Sequence, residues 1–314
     1  MAQAQEWFPI QLVSEGHKVP FSKGLLATTL TATGLPPERA FAVAMDVERE
    51  LLQGPDTEVD VDRLRRMVET VLADHEGERY LRRYQLWNRL AREDKPVVVL
   101  IGGATGVGKS TIAAKVADRL GIVRIISTDS IRQVMRAFFS ESLMPAIHHS
   151  SYEAGKGVRL PLGSDLDPDL VGFMEQVDMV NVGLLAVLDR AIEERISLVV
   201  EGVHVVPGML AAKGAQERMD EIQLLSMVVA VGDAKLHRSH FLVREQETSG
   251  RRAIARYLRQ FEEIRKVQGF ILERADAEGT LVVDNVNIDD TVGMVVDALY
   301  DVIEQGEEAA HADR

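Results

Sequence analysis

The run Gly103, Ala104, Thr105, Gly106, Val107, Gly108, Lys109, Ser110 fits the spacing G-x-x-x-x-G-K-[ST] at every fixed position, and Thr111 follows it. Glycines so placed let a loop wrap until successive backbone N–H groups point inward, which suits phosphate oxygens. A helix opening at the end of the loop adds the positive end of its dipole. In such a loop the lysine reaches the β- and γ-phosphates of a nucleotide, and the serine hydroxyl reaches Mg²⁺. The pattern therefore predicts a site for the phosphates of a nucleotide, with Mg²⁺ at Ser110.

Two acids close apolar runs further along the chain. Asp129 ends "IVRIISTD" and Glu201 ends "SLVVE". Asp129 can accept a proton from an attacking hydroxyl or orient Mg²⁺ through water. It, or Ser130, can equally cap the following helix. Glu201 is suited to hold Mg²⁺ through water. Arg132 and Arg136 lie four apart and share a helix face. Arg132 is close enough to Asp129 to meet an anionic acceptor, while Arg136 reads as surface. His204, three residues past Glu201, reads as an exposed loop histidine or as a participant in the site.

The cations and hydroxyls then concentrate twice. His148, His149, Ser150, Ser151, Tyr152, Lys156 and Arg159 fall within one short segment. Such donors suit a phosphorylated acceptor, and His149, Ser151 and Tyr152 are the candidates to touch it. The adjacent histidines do not converge as metal ligands do. The second concentration is "KLHRSHFLVREQETSGRRAIARYLRQF", residues 235–261. Arg244, Arg251 and Arg252 flank its Thr-Ser-Gly turn and could close on a transferring phosphate. Arg256 and Arg259 read as a solvated face.

These residues need a scaffold that brings them together. From Pro96 onward, apolar strands alternate with helices: "VVVLIGG", "IVRIISTD", "SLVVEG", "IQLLSMVVAVGD" and "TLVVDN". Repeated βα units predict an α/β fold, a parallel sheet flanked by helices. Its ligands would sit at the carboxyl ends of the strands, where the acids and the glycine-rich loop fall. Before Pro96 the pattern differs. Two short strands surround Gly16, Ser22 caps a helix, a second helix runs over about 37–53, and Asp60 caps a third. Residues 75–95 read as a charged helical connector with a solvated face. The expected division is 1–95, 96–305 and a flexible acidic tail, 306–314.

A chain of 314 residues suits two domains. It has no cysteine, which excludes disulfides and thiolate metal sites and points to a reducing cytoplasm. No stretch approaches the roughly 18 to 20 apolar residues of a membrane span, and "MAQAQEWFPIQL" lacks the features of a secretory signal. A net charge of -13 opposes nucleic acid and anionic membranes as partners. An anionic small molecule would need cations gathered in one cleft. Association into a homo-oligomer is compatible with the sequence.

Taken together, "LIGGATGVGKSTIA", "ISTDSIRQVMR", "HHSSYEA", "VVEGVHVVPG" and "RRAIARYLRQFEEIRKVQ" resemble the 2-phosphoglycerate kinases over roughly 96–300, in matching order. The resemblance implies a P-loop kinase that uses ATP to phosphorylate the free hydroxyl of 2-phosphoglycerate, giving 2,3-diphosphoglycerate. It also implies that residues 235–261 form the lid of such an enzyme. Residues 8–95 resemble an ATP-cone, through "VSEGHKVPFSKGLLATTL", although Ser14 and Glu15 stand where the cone usually carries basic residues. Two other readings stay open at this level: a kinase for another phosphorylated sugar, acid or polyol, and an ATP-sensing regulator without acceptor turnover.

Overall fold

In a computed structural model of the chain, the described residues are 10–14, 16–93, 95–159, 166–210, 221–247 and 254–312, excluding the side chains of 243–247, 254 and 307–312. The chain forms two compact units, residues 1–94 with 119–121, and residues 95–118 with 122–314.

In the first unit, β1 (Gln11–Ser14) and β2 (His17–Pro20) pair antiparallel around Gly16, and β3 (Glu58–Asp60) pairs parallel to β1. Gly16 has φ 82°, a left-handed turn conformation that glycine adopts without strain. The Ser22 hydroxyl accepts from the Leu25 amide and caps α1 (Lys23–Ala32). Pro37 opens α2 (Pro37–Gln53), where a missing N–H costs nothing. The Asp60 carboxylate accepts from the Asp62 and Arg63 amides and caps α3 (Val61–His75). Leu30, Ala44, Val47, Val68, Leu72 and Tyr84 share one apolar core. The expected connector is α4 (Glu78–Arg92), and it is more than a solvated rod. Tyr84, Leu86 and Leu90 are buried, and the buried Arg83 donates to the Thr33 carbonyl at 3.3 Å. Strand β3 was not anticipated, because three residues show no period.

In the second unit, β4 (Val97–Gly102), β5 (Ile125–Ser127), β6 (Leu198–Glu201), β7 (Gln223–Ala230) and β8 (Leu281–Asp284) form one parallel sheet in the order β5-β6-β4-β7-β8. All six residues of β4 are buried, as a central strand covered on both faces requires. The helices are α5 (Lys109–Leu120), α6 (Thr128–Phe138), a short α7 (Pro145–His148) and α8 (Pro168–Glu193), with a 3-10 segment, Ser151–Gly157, between α7 and α8. After β7 come α9 (Ala234–Glu247), α10 (Ile254–Arg259) and α11 (Phe261–Ala277), and α12 (Ile288–Ala312) follows β8.

Two expectations need correction. Helix α8 is long and apolar enough, by length and composition, to cross a membrane. Its Phe173, Val177, Leu184 and Leu188 instead belong to the apolar core against the sheet. It also buries Gln176 and Asn181, and is a core helix. The expected flexible tail is helical as far as Ala312.

Candidate active site

Strand β4 delivers the chain into the loop 103–108, and α5 begins at Lys109. Gly106 and Gly108 have φ 88° and 94°, left-handed conformations that strain any residue with a Cβ. A Cβ on Gly106 would also overlap the ring of Phe241, and one on Gly108 would lie 2.5 Å from Asn285 Nδ2. The loop is braced from three sides. Asn285 Nδ2 donates to the Val107 carbonyl at 2.9 Å, and Thr291 Oγ1 donates to Asn285 Oδ1 at 3.2 Å. From α9, His237 Nε2 donates to the Thr105 carbonyl at 2.9 Å and His240 Nδ1 to the Gly106 carbonyl at 3.1 Å. A carbonyl only accepts, so these bonds fix which nitrogen carries each proton. Lys109 is buried, and its Nζ donates to the Ala104 carbonyl at 2.6 Å.

Sheet register gathers the acids. Glu201, at the end of β6, lies beside Ile101 of β4 on one side and Ser127 of β5 on the other. It is therefore held between the phosphate-type loop and the start of α6. Ser110 Oγ donates to Glu201 Oε1 at 3.1 Å. This hydroxyl–carboxylate pair is a hard oxygen set of the kind Mg²⁺ accepts, alongside waters and phosphates. Among the described residues no group of three His, Cys, Asp or Glu side chains could hold a metal.

Asp129 sits in the first turn of α6. It does not cap that helix: the cap position is Ser127, and no side chain caps it. The Asp129 carboxylate instead accepts from Arg132 Nε and Nη2 at 3.3 and 3.1 Å. Partial desolvation in the cleft raises its pKa, but the Arg132 guanidinium and the Lys109 ammonium outweigh this and hold it below the usual carboxylate range. Arg132 also donates from Nη1 to the Ile147 and His149 carbonyls at 3.1 and 2.8 Å. Most of its guanidinium is thus engaged in bracing.

The cluster after Met144 divides. Ser150, Ser151 and Tyr152 line a cavity of about 470 Å³ together with Thr105, Lys109, Ser110, Asp129, Arg132 and Glu201. The His149 ring does not line it and stands 3.9 Å from Glu141. His148 Nε2 donates to the Phe139 carbonyl, Arg159 to the Glu141 and Ser142 carbonyls, and Lys156 to Glu153. Arg256, expected on a solvated face, donates to Ser150 Oγ at 3.2 Å and to Glu153 at 2.5 Å. Its neighbour Tyr257 lines the cavity and stacks on Phe241. His204 is not exposed: it is fully buried, and burial pushes its pKa down to about 3. Arg251 and Arg252 lie outside the described residues, as does the side chain of Arg244.

A second cavity, of about 540 Å³, shares Gly106, Lys109 and Ser110 with the first and continues along Thr111, His240 and Asn285 to Asp289. Two cavities thus meet at the loop, one walled by the chain after β8, the other by the acids and the serine-tyrosine segment. Of the residues that build this meeting point, Asn285, Phe241 and Tyr257 were not anticipated. Asn285 carried a usable signal, a polar residue closing an apolar strand.

A parallel sheet with a glycine-rich loop after its central strand, one acid ending the adjacent strand and a second in the helix turn after the next strand, and cavities on both sides of the loop defines a P-loop phosphotransferase. A family model for the ATP cone domain matches residues 13–93, and one for Zeta toxin matches residues 84–154. A protein of Methanopyrus kandleri named 2-phosphoglycerate kinase is 38% identical over 298 residues, covering 95% of this chain and 89% of that one. Proteins of the same name from Thermococcus kodakarensis and Methanothermobacter thermautotrophicus are 37% and 36% identical, each over 92% of this chain and 95% and 93% of theirs. Among solved structures, a gluconokinase from Sinorhizobium meliloti aligns at TM-score 0.39 and 16% identity, over 67% of this chain and 95% of that one. The chain belongs to the 2-phosphoglycerate kinase family, and it is an ATP-dependent phosphotransferase.

Proposed function

We propose that this enzyme transfers the γ-phosphoryl group of ATP to the free hydroxyl of 2-phosphoglycerate, giving 2,3-diphosphoglycerate and ADP. The hydroxyl oxygen forms a bond to the γ-phosphorus, the bond from that phosphorus to the β,γ-bridging oxygen breaks, and the hydroxyl proton leaves. The observation that carries the reading is the pair of cavities meeting at Lys109 and Ser110. A donor can lie along Thr111 and Asn285–Asp289 while an acceptor lies against Asp129, Ser151 and Tyr152. Membership of the family supports the choice of acceptor.

In this reading residues 103–111 hold the triphosphate, with Lys109 on the β- and γ-phosphates. Ser110 and, through water, Glu201 hold Mg²⁺, which when bound neutralises phosphate charge. Asp129 accepts the hydroxyl hydrogen of the acceptor. A carboxylate with a lowered pKa is a weak base, and phosphoryl transfer through a loose transition state asks little of a base beyond orientation. Ser151 and Tyr152 contact the acceptor, and Arg132 holds Asp129 and the 147–149 carbonyls around it. Arg244, Arg251 and Arg252 supply charge to the transferring group, and His149 contributes its backbone carbonyl in place of its ring. The N-terminal unit tunes or stabilises the enzyme and carries no chemistry, since every residue named here lies after Pro96.

The test is ADP release measured with a panel of phosphorylated three- to six-carbon acids, sugars and polyols, with phosphorus NMR of the product. Acceptor-dependent release that is fastest with 2-phosphoglycerate is expected. Faster turnover of another member replaces the acceptor, and ADP release independent of any acceptor removes the transferase reading.

A further inference from the structure

Six groups, Asp129 among them, form a closed circuit of five hydrogen-bonded links and one link along the chain. Thr128 Oγ1 lies 2.8 Å from His204 Nδ1, and His204 Nε2 lies 2.9 Å from Gln176 Oε1. Gln176 Nε2 donates to the Ala146 carbonyl at 2.5 Å and the His149 carbonyl at 3.1 Å. Arg132 Nη1 donates to the same His149 carbonyl, and the rest of its fork holds Asp129. Asp129 follows Thr128 in the chain, which completes the circuit.

The direction of every bond is determined. The Gln176 amide nitrogen faces two carbonyls, which only accept, so its oxygen faces His204 and must itself accept. His204 Nε2 therefore carries the ring proton and donates. Nδ1 is then a lone pair and accepts the Thr128 hydroxyl hydrogen. The neutral ring this requires agrees with its complete burial. The other His204 tautomer would set the Nε2 lone pair against the Gln176 oxygen, and a flipped Gln176 would set that oxygen against two carbonyls, acceptor facing acceptor in a dry site where an unmet polar group costs roughly 1–3 kcal/mol.

The ring has a buried half and an open half. Thr128, His204 and Gln176 are each 0% exposed, whereas the Asp129 side chain is 65% exposed and faces the cavity. Gly202 ties the buried half to Glu201, because a Cβ there would overlap Thr128 Oγ1. None of these three side chains lines either cavity at the phosphate loop. They connect the start of α6, the 146–149 backbone, α8 and the loop after β6.

We infer that His204 and Gln176 are positioning residues for phosphoryl transfer, which set the place of Asp129 relative to the acceptor segment 146–149. This rests on the reading above, in which Asp129 meets the acceptor hydroxyl. A carbonyl held jointly by Arg132 and Gln176 couples the two sides. A shift of the buried half therefore moves the carboxylate and the acceptor wall relative to each other.

The experiment compares Thr128→Val, Thr128→Ser, Gln176→Leu and His204→Asn in the full-length protein. It measures kcat, acceptor KM, ATP affinity by calorimetry and circular dichroism, with nitrogen-15 NMR of the wild-type histidines. Thr128→Val and Gln176→Leu should lower acceptor-dependent kcat by about 10-fold or more, toward the roughly 10²-fold cost of a 1 Å misplacement. ATP affinity should stay within about twofold, since none of these groups touches the phosphate loop. Thr128→Ser keeps the hydroxyl and should retain near-wild-type kcat. His204→Asn keeps a polar group near the Nδ1 position but loses the bond to Gln176, and should fall between. The NMR signal of His204 should be that of a neutral Nε2–H ring at pH 7. Native-like Thr128→Val and Gln176→Leu proteins with wild-type kcat would overturn the inference, as would ATP affinity falling in step with kcat. A wild-type His204 that is protonated, or carries its proton on Nδ1, overturns it even if the variants do not fold. Wild-type inactivity on 2-phosphoglycerate with turnover of another acceptor overturns the substrate reading alone, and the variants are then compared on that acceptor.

Discussion

Lys109 carries the most specific expectation at the scale of single residues. Its Nζ folds over the loop onto the Ala104 carbonyl, so its removal takes charge from the phosphate site without opening the core. Lys109→Ala should abolish acceptor-dependent ADP release while circular dichroism stays native; near-normal turnover would refute the donor site. Asp129 and Glu201 differ in their partners, Arg132 for one and Ser110 for the other. Asp129→Asn should lower kcat by about 10²–10⁴-fold with little change in ATP affinity. Glu201→Gln should be partly rescued by raised Mg²⁺, and equal, metal-rescued losses in both variants would refute the division of roles. Arg132 was expected to act mainly on the acceptor. Its bonds to Asp129 and two carbonyls make it a brace as well, so Arg132→Ala should lower kcat besides raising acceptor KM.

At the scale of elements, the phosphate loop depends on α9 and on the chain after β8. Gly106→Ala should weaken ATP binding at least about tenfold, because a left-handed backbone alone costs a residue with a Cβ roughly 1–2 kcal/mol and Phe241 blocks the space. Calorimetric titration with ATP reads this directly, and unchanged affinity would show that the loop relaxes. Helix α10 meets the acceptor segment through Arg256. Arg256→Ala should raise acceptor KM and leave ATP affinity alone, because Glu153 keeps Lys156 as a partner and the segment stays folded. The strands of both units other than β3, and the helix over 37–53, were legible from apolar runs and turn residues. Helix α4 was legible as a helix but not as a core element, since its apolar residues are few among many charges. Arg256 was misjudged, and the bracing bonds of Arg132 were missed, for a related reason: sequence shows a cation, and only folding shows which carbonyl or carboxylate it meets.

For the whole molecule, two buried histidines of the second unit make stability depend on pH. Burial pushes His204 to about 3 and His237 to about 4, against about 6.5 in an unfolded chain. As pH falls below that unfolded value, the unfolded state binds protons that the folded state does not. Their contribution is therefore full above about pH 6.5 and is lost as pH falls toward the folded values. The melting temperature should drop between pH 7 and 5. His237→Gln, which can still donate to Thr105, should flatten part of that drop, and an unchanged slope would mean that His237 is not buried neutral. The two units invite a second test. A soluble protein beginning near Pro96 should keep measurable acceptor-dependent turnover, and a folded but inert truncation would show that the N-terminal unit contributes to the site.

By itself the sequence determined the βα alternation, the phosphate-binding loop, the acid that ends β6, the acid that follows β5 and the family resemblance. Each is written in local spacing: a period, a turn glycine or a contiguous motif. Tertiary structure alone decided that Glu201 stands between β4 and β5, because strand order 5-6-4-7-8 is a matter of which surfaces pack. It also decided that His204 is buried rather than exposed, that Asn285 braces the loop across 178 residues of chain, and that the His149 ring turns away while its carbonyl is shared. Those outcomes depend on hydrogen bonds between groups far apart in the chain, whose partners are set only once the sheet and its helices have closed.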